Sequence, residues 1–170
     1  MPLKMDRKKL KSWIVNIFAF LVLAYVVEYW QSRNITRGVL PESLRTLSLP
    51  TVEGTTRSLW SPEKYTVIYI FAPWCGVCRA SGTNIERLPD RFQKAALALS
   101  WEHPNEVENF VQDVGLRVPV LMGRGPEEAA LQIGAYPSYL IIDTQGRIVK
   151  AWSGYTTTVG LWIKSYLALL

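Results

Sequence analysis

Apolar residues fall into two regimes along the chain. From Trp13 to Val27 no residue is charged, and with Glu28-Tyr29-Trp30 the segment reaches 18 residues. That is near the lower end of the roughly 17–25 residues a helix needs to cross a bilayer. Trp13 at one end and Tyr25, Tyr29 and Trp30 at the other sit where interfacial aromatic belts lie. A cleaved secretory signal is the rival reading, but it calls for a shorter apolar core and a small-x-small cleavage site, and Val26-Val27-Glu28-Tyr29-Trp30 offers none. A core helix of a soluble protein is a second rival, weighed down by the aromatic ends and the basic flank. An uncleaved spanning anchor fits best.

Beyond residue 30 the apolar runs are short and change period. Residues 31–43 read as a polar tether with Gly38 and Pro41. Residues 44–49 alternate, turn chemistry follows at Pro50 and Gly54, and residues 55–60 return as a second short strand, a hairpin ahead of the main sheet. Residues 66–71 (Thr-Val-Ile-Tyr-Ile-Phe) are apolar on both faces, as in a strand covered on each side. A helix follows from Cys75 to about Lys94, with Pro89 placed to kink or break it. Residues 95–100 read as the next buried strand. Residues 104–113 form a helix with an early proline and acids (Glu106, Glu108) in its first turns. A strand at 118–122, a helix at 126–133, a strand at 139–143, a turn at Thr144-Gln145-Gly146, a strand at 147–152 and an amphipathic helix at 156–170 complete the reading. Strand–helix alternation closed by a hairpin and a helix describes an α/β domain with a mixed sheet between helical layers.

The net charge of +5 is unevenly placed. Lys4, Arg7, Lys8, Lys9 and Lys11 precede the apolar segment, and only Arg33 and Arg37 follow it closely. By the positive-inside rule the N-terminus stays in the cytoplasm and the remainder is exported, which in a bacterium means the periplasm. From Gly38 onward Lys/Arg and Asp/Glu balance at twelve each, so the basic character belongs to the topology signal and implies no nucleic-acid surface. The organisation expected is a cytoplasmic segment (1–12), a single-pass inner-membrane anchor (13–30), a tether (31–43) and a periplasmic domain (44–170).

The only two cysteines sit together in Trp74-Cys75-Gly76-Val77-Cys78, directly after the apolar strand. Strand, turn and helix start in that order place Cys75 at a helix N-terminus, where unpaired N–H groups and the dipole favour a thiolate, the reactive form. Cys78 lies one turn on, close enough to close a small disulfide ring. Three blander readings compete. A zinc site lacks ligands, since His103 is the single histidine and no third thiol exists, unless two chains share it. A structural disulfide across four residues removes little chain entropy. Incidental core cysteines fit poorly with the strand–turn–helix context. A thiol–disulfide site carries the most weight, with no metal expected and no cofactor beyond the Cys75–Cys78 disulfide.

Three stretches resemble a known family: Phe71-Ala72-Pro73-Trp74-Cys75-Gly76-Val77-Cys78-Arg79, then Ile133-Gly134-Ala135-Tyr136-Pro137-Ser138-Tyr139-Leu140-Ile141-Ile142-Asp143, and Gly146-Arg147. They resemble membrane-anchored thioredoxins of the TlpA-like group. Within that group they are most similar to the short anchored protein-disulfide oxidoreductases called suppressor of copper sensitivity protein D. The resemblance implies a thioredoxin-like fold over residues 44–170 and catalysis by Cys75 and Cys78. It also implies a cis Pro137 against the disulfide, with a substrate surface from Trp74, Gly76, Val77, Tyr136 and Pro137. The Tyr136 main chain would pair with an extended substrate. Partners implied are exported protein thiols or disulfides and a DsbD-like membrane reductant. The copper association finds no Met/His/Cys cluster in the sequence suited to copper.

Two positions depart from the pattern. Thioredoxins carry a buried acid six residues before the nucleophile, where this chain has Tyr69, and some cytochrome-maturation reductases carry Glu after the cis-proline, where it has Ser138. Tyr69 reads first as core. Arg79 is a candidate to steady a thiolate, set against an ordinary surface arginine, and Glu102 and His103 stay outside the candidate site. The expected activity is protein-disulfide reduction, with dithiol oxidation, an inert adaptor or a Cu(I)-binding module as alternatives. Gly-Val between the cysteines does not decide the direction.

Overall fold

The computed structural model describes residues 7–170. Its first element is a long helix, α1 (Arg7–Ser32), in which Leu10–Val27 has a mean hydropathy of 2.0, long and apolar enough to cross a membrane. The chain then contributes β1 (Gly38–Val39), α2 (Glu42–Arg45) and a hairpin of β2 (Ser48–Pro50) and β3 (Thr56–Ser58). Next come β4 (Thr66–Phe71), α3 (Gly76–Ser81) with a 3-10 continuation (Gly82–Arg87), β5 (Gln93–Ala98), α4 (Pro104–Val114), β6 (Val120–Met122) and α5 (Gly125–Leu131). β7 (Ser138–Ile142), β8 (Arg147–Ser153) and α6 (Thr158–Leu167) close the fold. The main sheet runs β1-β8-β7-β4-β5-β6. β4 is parallel to β5 and antiparallel to β7, so the sheet is mixed, as the sequence suggests.

β4 is central, and all six of its residues are buried. Strand alternation sends Val67, Tyr69 and Phe71 to one face, where Val107, Phe110 and Leu161 of α4 and α6 cover them. Ile68 and Ile70 go to the other, packed among Leu44, Leu49, Leu59, Leu97, Leu131 and Leu140. Two buried faces explain why the strand reads as a continuous apolar run.

The helix after Cys75 is shorter than its pattern suggests. It tightens into the 3-10 segment at Gly82 and ends at Arg87, and Lys94 belongs to β5. Pro89 forces the break, since the residue before a proline is pushed out of the helical region and Leu88 is extended (ψ 144°). β5 accordingly starts at Gln93 rather than at residue 95, and Ser100 turns away with φ 54°. Leu44 and Arg45 belong to the short α2 rather than to a strand, so the hairpin begins only at Ser48. Across residues 31–43, Ile35 and Leu40 are buried and Gly38 and Val39 pair with Ile148 and Arg147 at the sheet edge.

Candidate active site

The turn after β4 is fixed by its own backbone. The Cys75 N–H donates to the Ala72 carbonyl (3.0 Å), and the Arg79 N–H closes the first helical turn on the Cys75 carbonyl (3.3 Å). Cys75 is the N-cap of α3, and its Sγ accepts the Cys78 N–H at 3.1 Å. The two cysteines are joined in a disulfide with Cα atoms 5.2 Å apart. Their exposure differs: Cys75 reaches the surface at 6%, while Cys78 is at 0%. An attacking nucleophile must be reachable and a resolving thiol need not be, and the two exposures are in keeping with that division.

Around Cys75 lies an apolar rim. Trp74 is 67% exposed and Val77 is half exposed. The Trp74 indole N–H donates to the Ser100 carbonyl (2.9 Å), which pins the ring. Tyr136 meets it edge-on at 5.7 Å, its hydroxyl donating to Glu128 Oε1 (2.6 Å). Burial and that carboxylate both push the Tyr136 phenol well above its ordinary pKa, so it stays protonated. The Tyr136–Pro137 bond is cis. The Pro137 carbonyl accepts the Gly154 N–H (2.8 Å), and the Ser138 hydroxyl donates to the Ala135 carbonyl while meeting Ser153 Oγ at 2.7 Å. Ser138 is thus a buried hydroxyl joining two strands.

Behind the buried sulfur stands an aromatic wall. Tyr69 stacks on Phe71 (5.7 Å) and approaches Tyr139 (5.4 Å), and Tyr139 stacks on Trp152 (5.0 Å). Tyr69 is more than core: its hydroxyl donates to the Cys78 carbonyl at 2.8 Å. Burial raises the Tyr69 phenol far above its ordinary value and Tyr139 to about 12, so neither accepts a proton from a thiol at neutral pH. The sequence flags Tyr69 only as a missing acid; its hydrogen bond has no local signal, because the partner is a backbone carbonyl nine residues on.

Arg79 points elsewhere. It pairs with Asp113 (2.7 Å) and lies over the Phe110 ring at 5.2 Å, clamping α3 to α4. His103 is the N-cap of α4, its N–H donating to Glu106 Oε1 (2.9 Å). Sequence reasoning missed Trp101, whose indole donates to the Gly123 carbonyl (2.8 Å) while the Arg124 guanidinium covers its ring at 3.7 Å. That contact stiffens the loop carrying Ser100, the acceptor for Trp74.

Residues 42–151 match the model of the AhpC/TSA family. The chain belongs to that family. A thioredoxin-like protein of Haemophilus influenzae is 24% identical over 166 residues, covering 95% of this chain and 96% of that one. A secreted disulfide oxidoreductase of Mycobacterium tuberculosis homologous to E. coli DsbE superposes with a TM-score of 0.65 at 15% identity, over 75% of this chain and 98% of that one. A thiol:disulfide interchange protein of Chlorobium tepidum gives 0.63 at 21% identity, over 81% and 97%. At such identities the structural matches establish the thioredoxin-like fold. The chain is therefore a thioredoxin-fold member of the AhpC/TSA family, with a Cys-x-x-Cys disulfide at the end of its central strand.

Proposed function

We propose that the protein is a membrane-anchored, periplasmic thiol–disulfide oxidoreductase that reduces disulfides in exported proteins. The observation that carries this reading is the unequal exposure of the two cysteines of one disulfide at the start of a helix. In the reduced enzyme the Cys75 thiolate attacks one sulfur of a substrate disulfide, forming a mixed disulfide and releasing one substrate thiolate. The Cys78 thiolate then attacks Cys75 Sγ, releasing the second substrate thiolate and forming Cys75–Cys78. Two electrons pass to the substrate, and a DsbD-like membrane reductant restores the dithiol. The Cys78 N–H, already aimed at Cys75 Sγ, supports negative charge there at each stage where Cys75 is a thiolate.

Trp74, Gly76, Val77, Tyr136 and Pro137 form the substrate surface in this reading, the exposed Trp74 ring and the half-buried Tyr136 receiving an extended apolar segment. Residues 13–30 act as the uncleaved anchor with the N-terminus in the cytoplasm, supported by the apolar α1 and the basic flank. Export is in keeping with the secreted Mycobacterium tuberculosis neighbour. Within the family we assign the chain to the suppressor-of-copper-sensitivity-D-like branch on its Phe71–Arg79 and Ile133–Asp143 stretches.

The redox equilibrium of the protein against a glutathione series, read by thiol alkylation, tests the direction. A reductase requires a potential near or below about −200 mV, whereas a value near about −120 mV makes it an oxidant and reverses the assignment.

A further inference from the structure

The β8–α6 corner lies beside the apolar helix rather than clear of it. Gly154 and Tyr155 share a cleft with Phe20, Leu23 and Val27 of α1, and the Ser153 N–H donates to Ser32 Oγ (3.0 Å) at the end of that helix. Phe20 to Val27 belong to the apolar stretch Leu10–Val27. The part before Phe20 rises only about 15 Å, half of the roughly 30 Å hydrocarbon core. A helix that spans must therefore keep Phe20–Val27 inside the membrane, and the corner that shares their cleft is drawn to the membrane surface with it.

We propose that this corner is a lipid-contacting face: Tyr155, Val159 and Ile163 enter the outer leaflet's interface and Arg37, Lys150 and Lys164 lie at the level of its phosphates. The inference rests on reading residues 13–30 as an uncleaved span. Tyr155, Val159 and Ile163 are each more than half exposed. Val159 and Ile163 stand one turn apart on the side of α6 opposite its buried Leu161 and Ser165. Val27 lies about 10 Å beyond Phe20 along the axis, hence about 5 Å from the outer edge of a roughly 30 Å core, and a corner facing the Val27 end of the cleft sits at the depth of about 5–10 Å where interfacial apolar faces lie. Arg37, Lys150 and Lys164 line the next cleft along α1, with Tyr25 and Tyr29. They are thus about a turn further from the membrane centre, at the height where long cationic side chains meet anionic headgroups.

The contact fixes more than an orientation. Gly154 donates to the Pro137 carbonyl, and Ser153 pairs with Ser138. The loop beside the disulfide is thus hydrogen-bonded to the corner that touches lipid. The domain rests on the bilayer with its sulfur end inward, where thiols and disulfides of other membrane-bound proteins pass within reach.

The test uses the full chain in phosphatidylcholine–phosphatidylglycerol vesicles, with Cys75→Ser and Cys78→Ser in the background. Single Tyr155→Cys, Ile163→Cys and Glu63→Cys changes carry a nitroxide label, Glu63 being exposed just before β4 at the far end of the sheet. The expected result is severalfold lower collision with an aqueous nickel chelate at 155 and 163 than at 63, with oxygen favoured. Water-like accessibility at all three positions, in protein that stays with the membrane through alkaline carbonate extraction, overturns the lipid contact and leaves the anchor standing. Release of the chain by carbonate overturns the anchor, and the lipid contact with it.

Discussion

The two ends of β7 are held by different chemistry. At its start, beside the disulfide, the buried polar side chains are hydroxyls: Ser138 against Ser153, and Tyr69 on the neighbouring strand donating to the Cys78 carbonyl. Just past its other end sits Asp143, a carboxylate only 3% exposed. It accepts the Gln145 and Arg147 N–H groups (2.9 Å each) on one oxygen and the Arg147 guanidinium (2.7 Å) on the other. A carboxylate packed behind the sulfurs would change how readily Cys78 gives up its proton. Hydroxyls position the backbone without that coupling. Along β7 the lowered carboxylate thus sits at one end and the thiol chemistry at the other.

The largest break in this division comes at the sulfurs. Cys75→Ser is expected to abolish disulfide reduction, whereas Cys78→Ser forms the mixed disulfide and cannot resolve it. Non-reducing electrophoresis after incubation with a disulfide-bonded protein reads both. Adduct on the Cys75→Ser protein and none on the Cys78→Ser protein would exchange the two roles. Next comes Tyr69→Phe, which keeps the ring and deletes the donor; the buried Cys78 carbonyl keeps the Gly82 N–H, so the cost is that of one hydrogen bond, about 0.5–1.5 kcal/mol. The urea midpoint should fall while the pH profile of thiol–disulfide exchange keeps its shape, because the phenol holds the turn and carries no proton between thiols. A displaced pH profile would make Tyr69 a participant in the chemistry.

What the sequence shows and hides follows from how local each signal is. The strand at 66–71, the helix start at Cys75 and the pairing of Cys75 with Cys78 depend on neighbours within a few residues, and all three are legible. Pro137 is legible through resemblance, which carries the spacing between two distant stretches. The length of the helix after Cys75 is not. Gly82, where the α-helix gives way to 3-10, lies so close to α4 that a Cβ there would sit 3.0 Å from Val114 Cγ1, a contact between segments 32 residues apart. The edge strand Gly38–Val39 is hidden for the same reason, since its partners lie at Ile148 and Arg147. Tyr69 is half legible: its position stands out, but its role depends on a carbonyl that no side-chain pattern reports.

The smallest effect belongs to the charged end. Burial alone would raise the Asp143 carboxyl, but hydrogen bonds from the Arg147 backbone and side chain and from the Gln145 N–H outweigh it and hold the group below the usual carboxylate range. A carboxylate whose folded pKa lies below its unfolded value of about 3.9 stabilises the fold fully above that value, and the contribution is lost as pH falls below it and on through the folded pKa. Asp143→Asn keeps an oxygen for the two N–H groups and gives up the Arg147 guanidinium. That side chain is 55% exposed, so solvent screens the pair, and the loss near neutrality should be about 1 kcal/mol or less. Urea midpoints at neutral pH and near pH 3 should show the gap between the two proteins narrowing on acidification, with the disulfide's potential the same in both. A gap that persists in acid would place the stabilisation in packing rather than charge. A displaced potential would show that the two ends of β7 are coupled after all.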